Sequence, residues 1–164
     1  TRALERSTQA QVLDRKSLRE VDLLFRSLPA PDPGLLPGFY RGEFTGPAWL
    51  RSAAPAGLSL FHLRGWWGKE LLANGDGVNL VRRDGVIRRS FDLHVAHTAS
   101  AIDGRPVAQI RYDRTTPFPW RFVVDEMRRL DGTCLLAMSL VNAPLLRRLA
   151  LPFLLHRTER PDGL

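Results

Sequence analysis

The hydrophobic pattern of the chain changes near residue 34. Before that point, apolar residues recur every three or four positions from Leu18 to Leu28, which is the spacing of an amphipathic helix. Ser17 and Glu20 occupy the two side-chain positions of a capping box, which satisfies amide donors at a helix start. Prolines from Pro29 onward then end the helix. The pattern therefore predicts an N-terminal helix and a proline-rich link over residues 1–33.

Beyond the link, short alternating runs are separated by turn residues. Asp-Gly pairs stand at Asp84-Gly85, Asp103-Gly104 and Asp131-Gly132, and Asn74–Gly77 supplies a further turn. A tight hairpin turn needs positive φ angles, which these residues adopt readily. Consecutive hairpins indicate an up-and-down antiparallel sheet, and a sheet of many strands removes its open edges by closing. We therefore predict a mostly β fold, an antiparallel β-barrel forming one domain over residues 34–160.

Two segments interrupt this series of strands and predict short accessory helices. Pro47–Arg64 has the composition of a short helix or a lid between strands. Ala143–Leu151 fits one or two helical turns, and Pro152 then introduces a last strand, Phe153–Glu159. Asp103-Gly104 is expected to follow a strand over Thr98–Ile102.

Composition limits the class of protein. Hydrophobic residues make up 44% of the chain and charged residues 25%, the usual balance of a globular domain. No run approaches the roughly 18 to 20 apolar residues of a membrane-spanning helix, and no secretory signal is visible. Cys134 is the only cysteine, which excludes an internal disulfide and a cysteine zinc site. A reducing, cytoplasmic location is therefore expected.

The formal charge of +7 comes almost entirely from arginine, and the only lysines are Lys16 and Lys69. The arginines are spread along the chain, often in pairs, and form no basic run of the kind that marks a nucleic-acid arm. We therefore predict no nucleic-acid partner. A positive surface also attracts anionic lipid, so a transient contact with a membrane surface stays open.

Two glycine-aromatic segments are the most distinctive local features. In Gly38–Gly42 the central aromatic, Tyr40, lies between two glycines that allow close backbone approach, and such a ring can plug a barrel end. In Gly65–Lys69 two tryptophans are adjacent. Neighbouring residues of a strand face opposite sides, so we expect Trp66 and Trp67 to pack on opposite faces of the sheet.

These segments resemble those of the GXWXG family, bacterial proteins whose second half is a domain of unknown function. Gly38–Gly42 resembles its Gly-x-Trp-x-Gly motif, with tyrosine replacing tryptophan, and Gly65–Lys69 matches its Gly-Trp-x-Gly-Lys motif without change. Three later segments resemble the family's in the same order: Tyr112-Asp113, Asp125–Asp131 and Leu135–Met138. The resemblance covers residues 28–159. It implies a lipocalin-like (calycin-type) barrel with a lipid or another apolar ligand, and no established reaction.

The aromatic residues either fill a core or line a cavity, and apolar pockets in barrel mouths are common ligand sites. Two prolines stiffen Thr116–Arg121, which still carries exposed-looking aromatics. We therefore predict a site for a phospholipid, fatty acid or other hydrophobic small molecule, in a monomer or a homodimer. The candidate ligand-binding residues are Tyr40, Phe44, Trp49, Trp66, Trp67, Lys69, Tyr112, Phe118, Trp120 and Arg121.

Lys69 stands out because lysine is so rare here, and three interpretations remain open. It forms a buried ion pair with Asp113 or Asp125, since buried charges are usually paired. Alternatively, it meets the carboxylate or phosphate of an amphipathic ligand. As a third interpretation it forms a Schiff base, which requires a depressed pKa. An enzyme acting on a small hydrophobic substrate through Lys69 and an acidic partner is thus an alternative function.

The sequence predicts no catalytic residue, metal or cofactor. No hydrolase nucleophile motif and no phosphate-binding glycine loop occurs. His94 and His97 lie three apart in a predicted strand and so face opposite sides, which disfavours a metal site. His156 on the last strand leaves a haem-binding barrel as a further alternative, because one histidine can serve as the proximal ligand.

Overall fold

The computed structural model describes residues 6–142 and 149–164, and its strands form a closed barrel. Each strand pairs antiparallel with the next in sequence, and β1 pairs with β8 to close the sheet. The predicted fold class is confirmed, because the described chain is mostly β, with an eight-stranded antiparallel barrel and three short helices. The strands are β1 Gly38–Phe44, β2 Trp66–Leu71, β3 Asp76–Arg83, β4 Val86–Ala99, β5 Pro106–Tyr112, β6 Val123–Arg129, β7 Cys134–Val141 and β8 Ala150–Thr158.

Three α-helices and one 3₁₀ turn, Trp120–Phe122, accompany the barrel: α1 Thr8–Asp14, α2 Leu18–Ser27 and α3 Ala48–Leu60. The capping box of α2 is confirmed, since the Glu20 amide donates to the Ser17 hydroxyl at 3.2 Å and the Ser17 amide donates to the Glu20 carboxylate at 2.8 Å. The pattern around Ser17 did not predict α1. None of the described helices has the length and apolar character needed to cross a bilayer.

The predicted hairpins join the expected strands, with some boundaries displaced. Asp84 and Gly85 both have positive φ, at 51° and 79°, and connect β3 to β4. Asp131-Gly132 lies between β6 and β7. The strand expected over Thr98–Ile102 is wrong beyond Ala99, where β4 ends, and Asp103-Gly104 belongs to a longer loop.

The structure describes one of the two segments predicted as accessory helices and only a small part of the other. Pro47–Arg64 contains α3, as the prediction of a short helix between strands requires. The helical turns predicted over Ala143–Leu151 fall mostly outside the described residues. Where the description resumes, Ala150 already begins β8, so the strand starts before Pro152.

The barrel separates two apolar layers. Helices α1 and α2 cover the outer face of β7 and β8. A buried outer cluster lies between the helices and the barrel: Ala10, Leu13, Val21, Phe25, Val107, Cys134, Leu136, Met138 and Leu154. Residues that alternate with these along the strands face the interior. Leu135, Ala137, Phe153 and Leu155 belong to that inner cluster.

A β-bulge in β2 determines which of its side chains enter the barrel. Trp66 pairs with Val81, but Gly68 pairs with Leu80, so Trp67 is an extra residue in the ladder. Simple alternation would put Trp66 and Lys69 on opposite faces. The extra residue shifts the alternation by one position, and both side chains point inward.

Candidate functional site

One end of the barrel interior contains a cavity of about 360 Å³. The helix α3 lies across this end and contributes Trp49, Leu50, Leu58 and neighbouring small residues to its wall. Strand residues supply the rest of the apolar wall: Phe44, Trp66, Val123, Val141, Leu151 and Phe153. The segment before β6 adds Trp120, whose indole nitrogen donates to the Phe61 carbonyl oxygen at 2.5 Å. This bond connects the C-terminal end of α3 to the segment before β6.

The deep end of the cavity is polar, and Lys69 is its centre. The Lys69 ammonium donates to the Tyr112 hydroxyl at 2.7 Å and to Asn79 Oδ1 at 2.9 Å, and it lies 3.3 Å from Asp125 Oδ2. An ammonium group has three donors and no acceptor, and here it makes two hydrogen bonds and one ion pair within the protein. The Lys69 nitrogen also lies 5.2 Å from the Tyr112 ring centre, within the range of a cation–π contact.

The Asp125 carboxylate, like the Lys69 ammonium, has hydrogen-bond partners in the protein. Ser139 donates to Asp125 Oδ1 at 2.6 Å, and the Tyr112 hydroxyl donates to Asp125 Oδ2 at 3.1 Å. Ser139 stands directly opposite Asp125 in the β6–β7 ladder. Both charged side chains are at least 97% buried. Removing one member of such a pair leaves an uncompensated buried charge, which costs roughly 3–5 kcal/mol of stability.

The environment changes the acid–base properties of these groups. Burial lowers the pKa of Lys69, and the Asp125 carboxylate opposes that shift. Burial, reinforced by the charge of Asp125, raises the pKa of Tyr112 well above its ordinary value. Tyr112 is therefore a neutral hydroxyl at physiological pH, able to donate to the carboxylate and accept from the ammonium. The cluster forms a closed ion pair whose charges cancel.

Asn79 completes the polar end. It is fully buried on β3, pairs with Lys69 across the β2–β3 ladder and lines the cavity. Its Oδ1 accepts from both Lys69 and the Trp66 indole, the latter at 3.1 Å. Its Nδ2 has no acceptor among the described residues. A buried donor without an acceptor costs roughly 1–3 kcal/mol.

Six of the ten candidate ligand-binding residues line this cavity: Phe44, Trp49, Trp66, Lys69, Tyr112 and Trp120. Two others belong to different layers of the barrel. Tyr40 lies beyond the cavity, where its hydroxyl donates to the Leu36 carbonyl at 2.7 Å and accepts from Arg157 at 2.9 Å. Its ring belongs to the inner cluster. Trp67 is on the outer face, against Val78, Leu80 and Ile87, because neighbouring strand residues face opposite sides.

The remaining two candidates lie at the rim. Phe118 is 60% exposed, and its ring packs against those of Phe61 and Phe122 with centres 6.1 and 6.2 Å away. Arg121 is exposed, and its guanidinium stacks 5.1 Å from the Phe122 ring centre. Both side chains border the mouth without lining the cavity. In the 3₁₀ turn that starts at Trp120, one side chain turns inward and its neighbours turn to solvent.

Several polar candidates lie away from the cavity. Asp113 is exposed in the loop after β5, so the acidic partner of Lys69 is Asp125. His156 contacts Glu43 at 2.7 Å and stands beside Cys134 of the outer cluster, so it faces away from the cavity. His94 and His97 are exposed. The described residues contain no cluster of three or more potential ligands that could hold a metal ion.

Sequence reasoning missed Asn79 and Ser139 as members of the site. Asn79 carried one usable signal, because it is a single amide inside the apolar run Val78–Val81, and an isolated polar residue in a buried strand needs a partner. Ser139 carried no such signal, since serine is common on exposed strand faces.

Comparisons with known proteins bear on the fold of this cavity-containing antiparallel barrel. No protein-family profile matches the chain, and no curated protein matches it. Among solved structures, the crystal structure of a protein from Thermomonospora curvata is similar, with a TM-score of 0.69 and 21% sequence identity. The similarity covers 91% of this chain and 93% of that one. At this identity it supports the barrel fold alone, because function depends on the residues of the site.

Proposed function

We propose that the protein binds a small hydrophobic molecule in the barrel cavity. The observation that carries this proposal is the cavity itself, which runs from an apolar mouth under α3 to a polar base around Lys69. Natural small-molecule sites have this composition, with a mostly apolar wall and a few polar groups that orient the ligand. A solid barrel interior would have offered no such space.

The volume of the cavity limits the size of the ligands that fit. Its volume of about 360 Å³ lies near the lower end of the roughly 300–1,000 Å³ that small-molecule pockets occupy. That space suits a single short chain or a small ring system better than a phospholipid with two acyl chains. Among the hydrophobic ligands expected from the sequence, we therefore favour the smaller ones.

Binding accounts for the geometry better than catalysis does. Lys69 and Asp125 border the cavity, but each is engaged by the other and by neutral hydroxyl or amide partners, whereas a catalytic base or nucleophile directs a free atom at the substrate. Haem ligation through His156 has no support from the geometry, since that side chain bonds Glu43 on the outer face. We therefore propose a carrier or sensor rather than an enzyme.

The family resemblance stays part of this proposal. Neither of the motif glycines Gly42 and Gly68 has room for a side chain. A Cβ on Gly42 would collide with the Trp66 ring, and a Cβ on Gly68 would collide with the Tyr40 backbone. Membership of the GXWXG family and a lipocalin-like relationship are thus supported by motif and architecture. The cytoplasm is the location that we propose, on the single buried cysteine.

Fluorescence of a neutral apolar dye, N-phenylnaphthylamine, tests the binding site. The variant Ala54→Trp places a large ring at a position of α3 that lines the cavity. We expect the wild type to bind the dye saturably at one site and Ala54→Trp to weaken binding at least tenfold, because the ring fills the space.

Ala56→Trp is the matched control, since Ala56 is an exposed residue of the same helix and does not line the cavity. It should bind the dye as the wild type does. Absence of saturable binding to the wild type, or equal binding by both variants, would contradict the proposal. Thermal unfolding of each variant checks that the substitution leaves the fold stable.

A further inference from the structure

Resting on the proposed function, we infer that the cavity recognises a neutral ligand that carries one carbonyl oxygen. Asn79 Nδ2 donates a hydrogen bond to this oxygen, which belongs to a ketone, aldehyde, ester or amide. The apolar part of such a molecule would lie against the aromatic wall, and its oxygen would reach the polar base. Carboxylate and phosphate ligands, which a lysine in a cavity suggests at first, are disfavoured.

The orientation of the Asn79 amide is determined by its neighbours. The Trp66 indole nitrogen and the Lys69 ammonium can only donate hydrogen bonds, and both bond the same side of the Asn79 side chain. The oxygen must therefore face them, because an NH₂ group there would set donor against donor. The Asn79 NH₂ group therefore points elsewhere. The Asn79 amide partly opposes the rise in the Tyr112 pKa, but its Nδ2 makes no hydrogen bond of acceptable geometry with any described protein atom.

Asn79 borders the cavity. The side chain is fully buried and belongs to the cavity wall. Trp66, which donates to Asn79, packs against Phe153 with ring centres 5.5 Å apart, and both rings line the cavity. A ligand that lies against the Trp66 ring would therefore be close to Asn79. Only an acceptor satisfies the amide, which is why a carbonyl oxygen fits and a hydrocarbon does not.

Charge argues against an anionic ligand. The ionisable side chains of the cavity wall, within the described residues, are Lys69, Asp125 and Tyr112. Lys69 and Asp125 cancel, and Tyr112 is neutral because burial raises its pKa. An anion would approach the Asp125 carboxylate without a free ammonium donor to bind it, since Lys69 already donates to Asn79 and Tyr112 and faces Asp125 at 3.3 Å. A buried charge without its own partner is strongly unfavourable.

Displacement of N-phenylnaphthylamine by three probes of equal chain length tests the inference: methyl hexyl ketone, octane and octanoate. Octane leaves water more readily than the ketone, so each affinity is compared with the compound's partition from water into hydrocarbon. After that correction we expect the ketone to bind about tenfold more tightly than octane, the ratio that one additional buried hydrogen bond supplies. At neutral pH, octanoate should bind more weakly than the ketone. A ketone-to-octane ratio no greater than their partition predicts, or tighter binding of octanoate, would overturn the inference and leave the proposed function standing.

Failure of the dye and all three probes to bind would instead overturn the proposed function, and the inference with it. The two failures are thus distinguishable in one set of titrations. The wild-type comparison needs no variant, so the inference stays testable even if changes at Asn79 impair folding.

The variant Asn79→Asp tests whether the Asn79 amide causes the preference for the ketone over octane. Aspartate keeps an oxygen for Trp66 and Lys69 but replaces the NH₂ donor with an acceptor, so the ketone should lose its tenfold advantage over octane. Asn74→Asp makes the same chemical change in an exposed turn and should retain the advantage. An unchanged ketone preference in a folded Asn79→Asp protein would contradict the role of Asn79.

Discussion

Two glycines set the distance between neighbouring strands at the site. A Cβ on Gly42 would lie 2.2 Å from the Trp66 ring, and a Cβ on Gly68 would lie 1.9 Å from the Tyr40 carbonyl oxygen. Both distances are far below van der Waals contact. The first glycine leaves room for an aromatic ring of the cavity wall, and the second lets the backbones of β1 and β2 approach. The spacing of glycines and aromatics in the sequence therefore has a direct steric cause.

Gly68→Ala should destabilise the protein by about 3 kcal/mol, the upper part of the usual range for overpacking, because the new methyl group meets rigid backbone. Gly132→Ala is the matched control, since a Cβ there meets no atom within 4 Å. Urea unfolding of both variants measures the difference. Equal stability of the two would show that the β1–β2 contact tolerates a side chain.

At the scale of elements, one buried arginine joins a helix, a loop and a strand on the outside of the barrel. Arg128 of β6 donates to both Asp103 carboxylate oxygens, at 2.7 and 2.8 Å, and to the Phe25 carbonyl near the end of α2 at 3.0 Å. The Arg128 guanidinium holds the pKa of Asp103 at about 2, below its ordinary value of 3.8. The docking of α2 thus depends on a charged carboxylate.

The pKa of Asp103 predicts a pH-dependent stability. Because the folded-state pKa is depressed, the Asp103 carboxylate stabilises the folded protein above pH 3.8, and this stabilisation is lost as pH falls towards 2. The pH-dependent part amounts to about 2 kcal/mol. The wild type should therefore exceed Asp103→Asn in unfolding free energy at neutral pH, and acid should reduce the difference by about that amount. A difference independent of pH, measured by urea unfolding, would contradict this account.

At the scale of the whole molecule, exposed apolar side chains gather at the cavity mouth on a protein of net charge +7. Trp49 and Phe118 are each 60% exposed, and Phe122 is 41% exposed. Exposed aromatics together with positive charge are typical of surfaces that touch anionic bilayers. We propose that the mouth contacts a membrane transiently, which would let an apolar ligand move between bilayer and cavity without crossing water.

Sedimentation with vesicles of phosphatidylcholine and phosphatidylglycerol tests this contact. We expect salt-sensitive binding that the double variant Trp49→Ser, Phe118→Ser weakens about tenfold, because two exposed aromatic anchors are removed. Leu23→Ser is the control, since Leu23 is 57% exposed on α2. If the control weakened vesicle binding as much as the rim variant, the mouth would not be the contact surface.

The sequence by itself determined the local features of this protein. The capping box of α2, the Asp84-Gly85 hairpin and the change from helical to alternating periodicity depend on residues close together in the chain. These features were sufficient to predict an antiparallel barrel with a preceding helix. The aromatic residues of the sequence likewise indicated Phe44, Trp66 and others that line the cavity.

Only the tertiary structure decided the composition of the site. Trp66 and Lys69 both point inward because β2 contains a bulge, and alternation along the sequence predicts the opposite. The choice between Asp113 and Asp125 as the partner of Lys69 depended on which carboxylate the closed sheet turns inward. The free donor of Asn79 exists because Trp66 and Lys69 both bond its oxygen. In each case the physical reason is the same, since strand register and contacts between distant residues set the environment of a side chain.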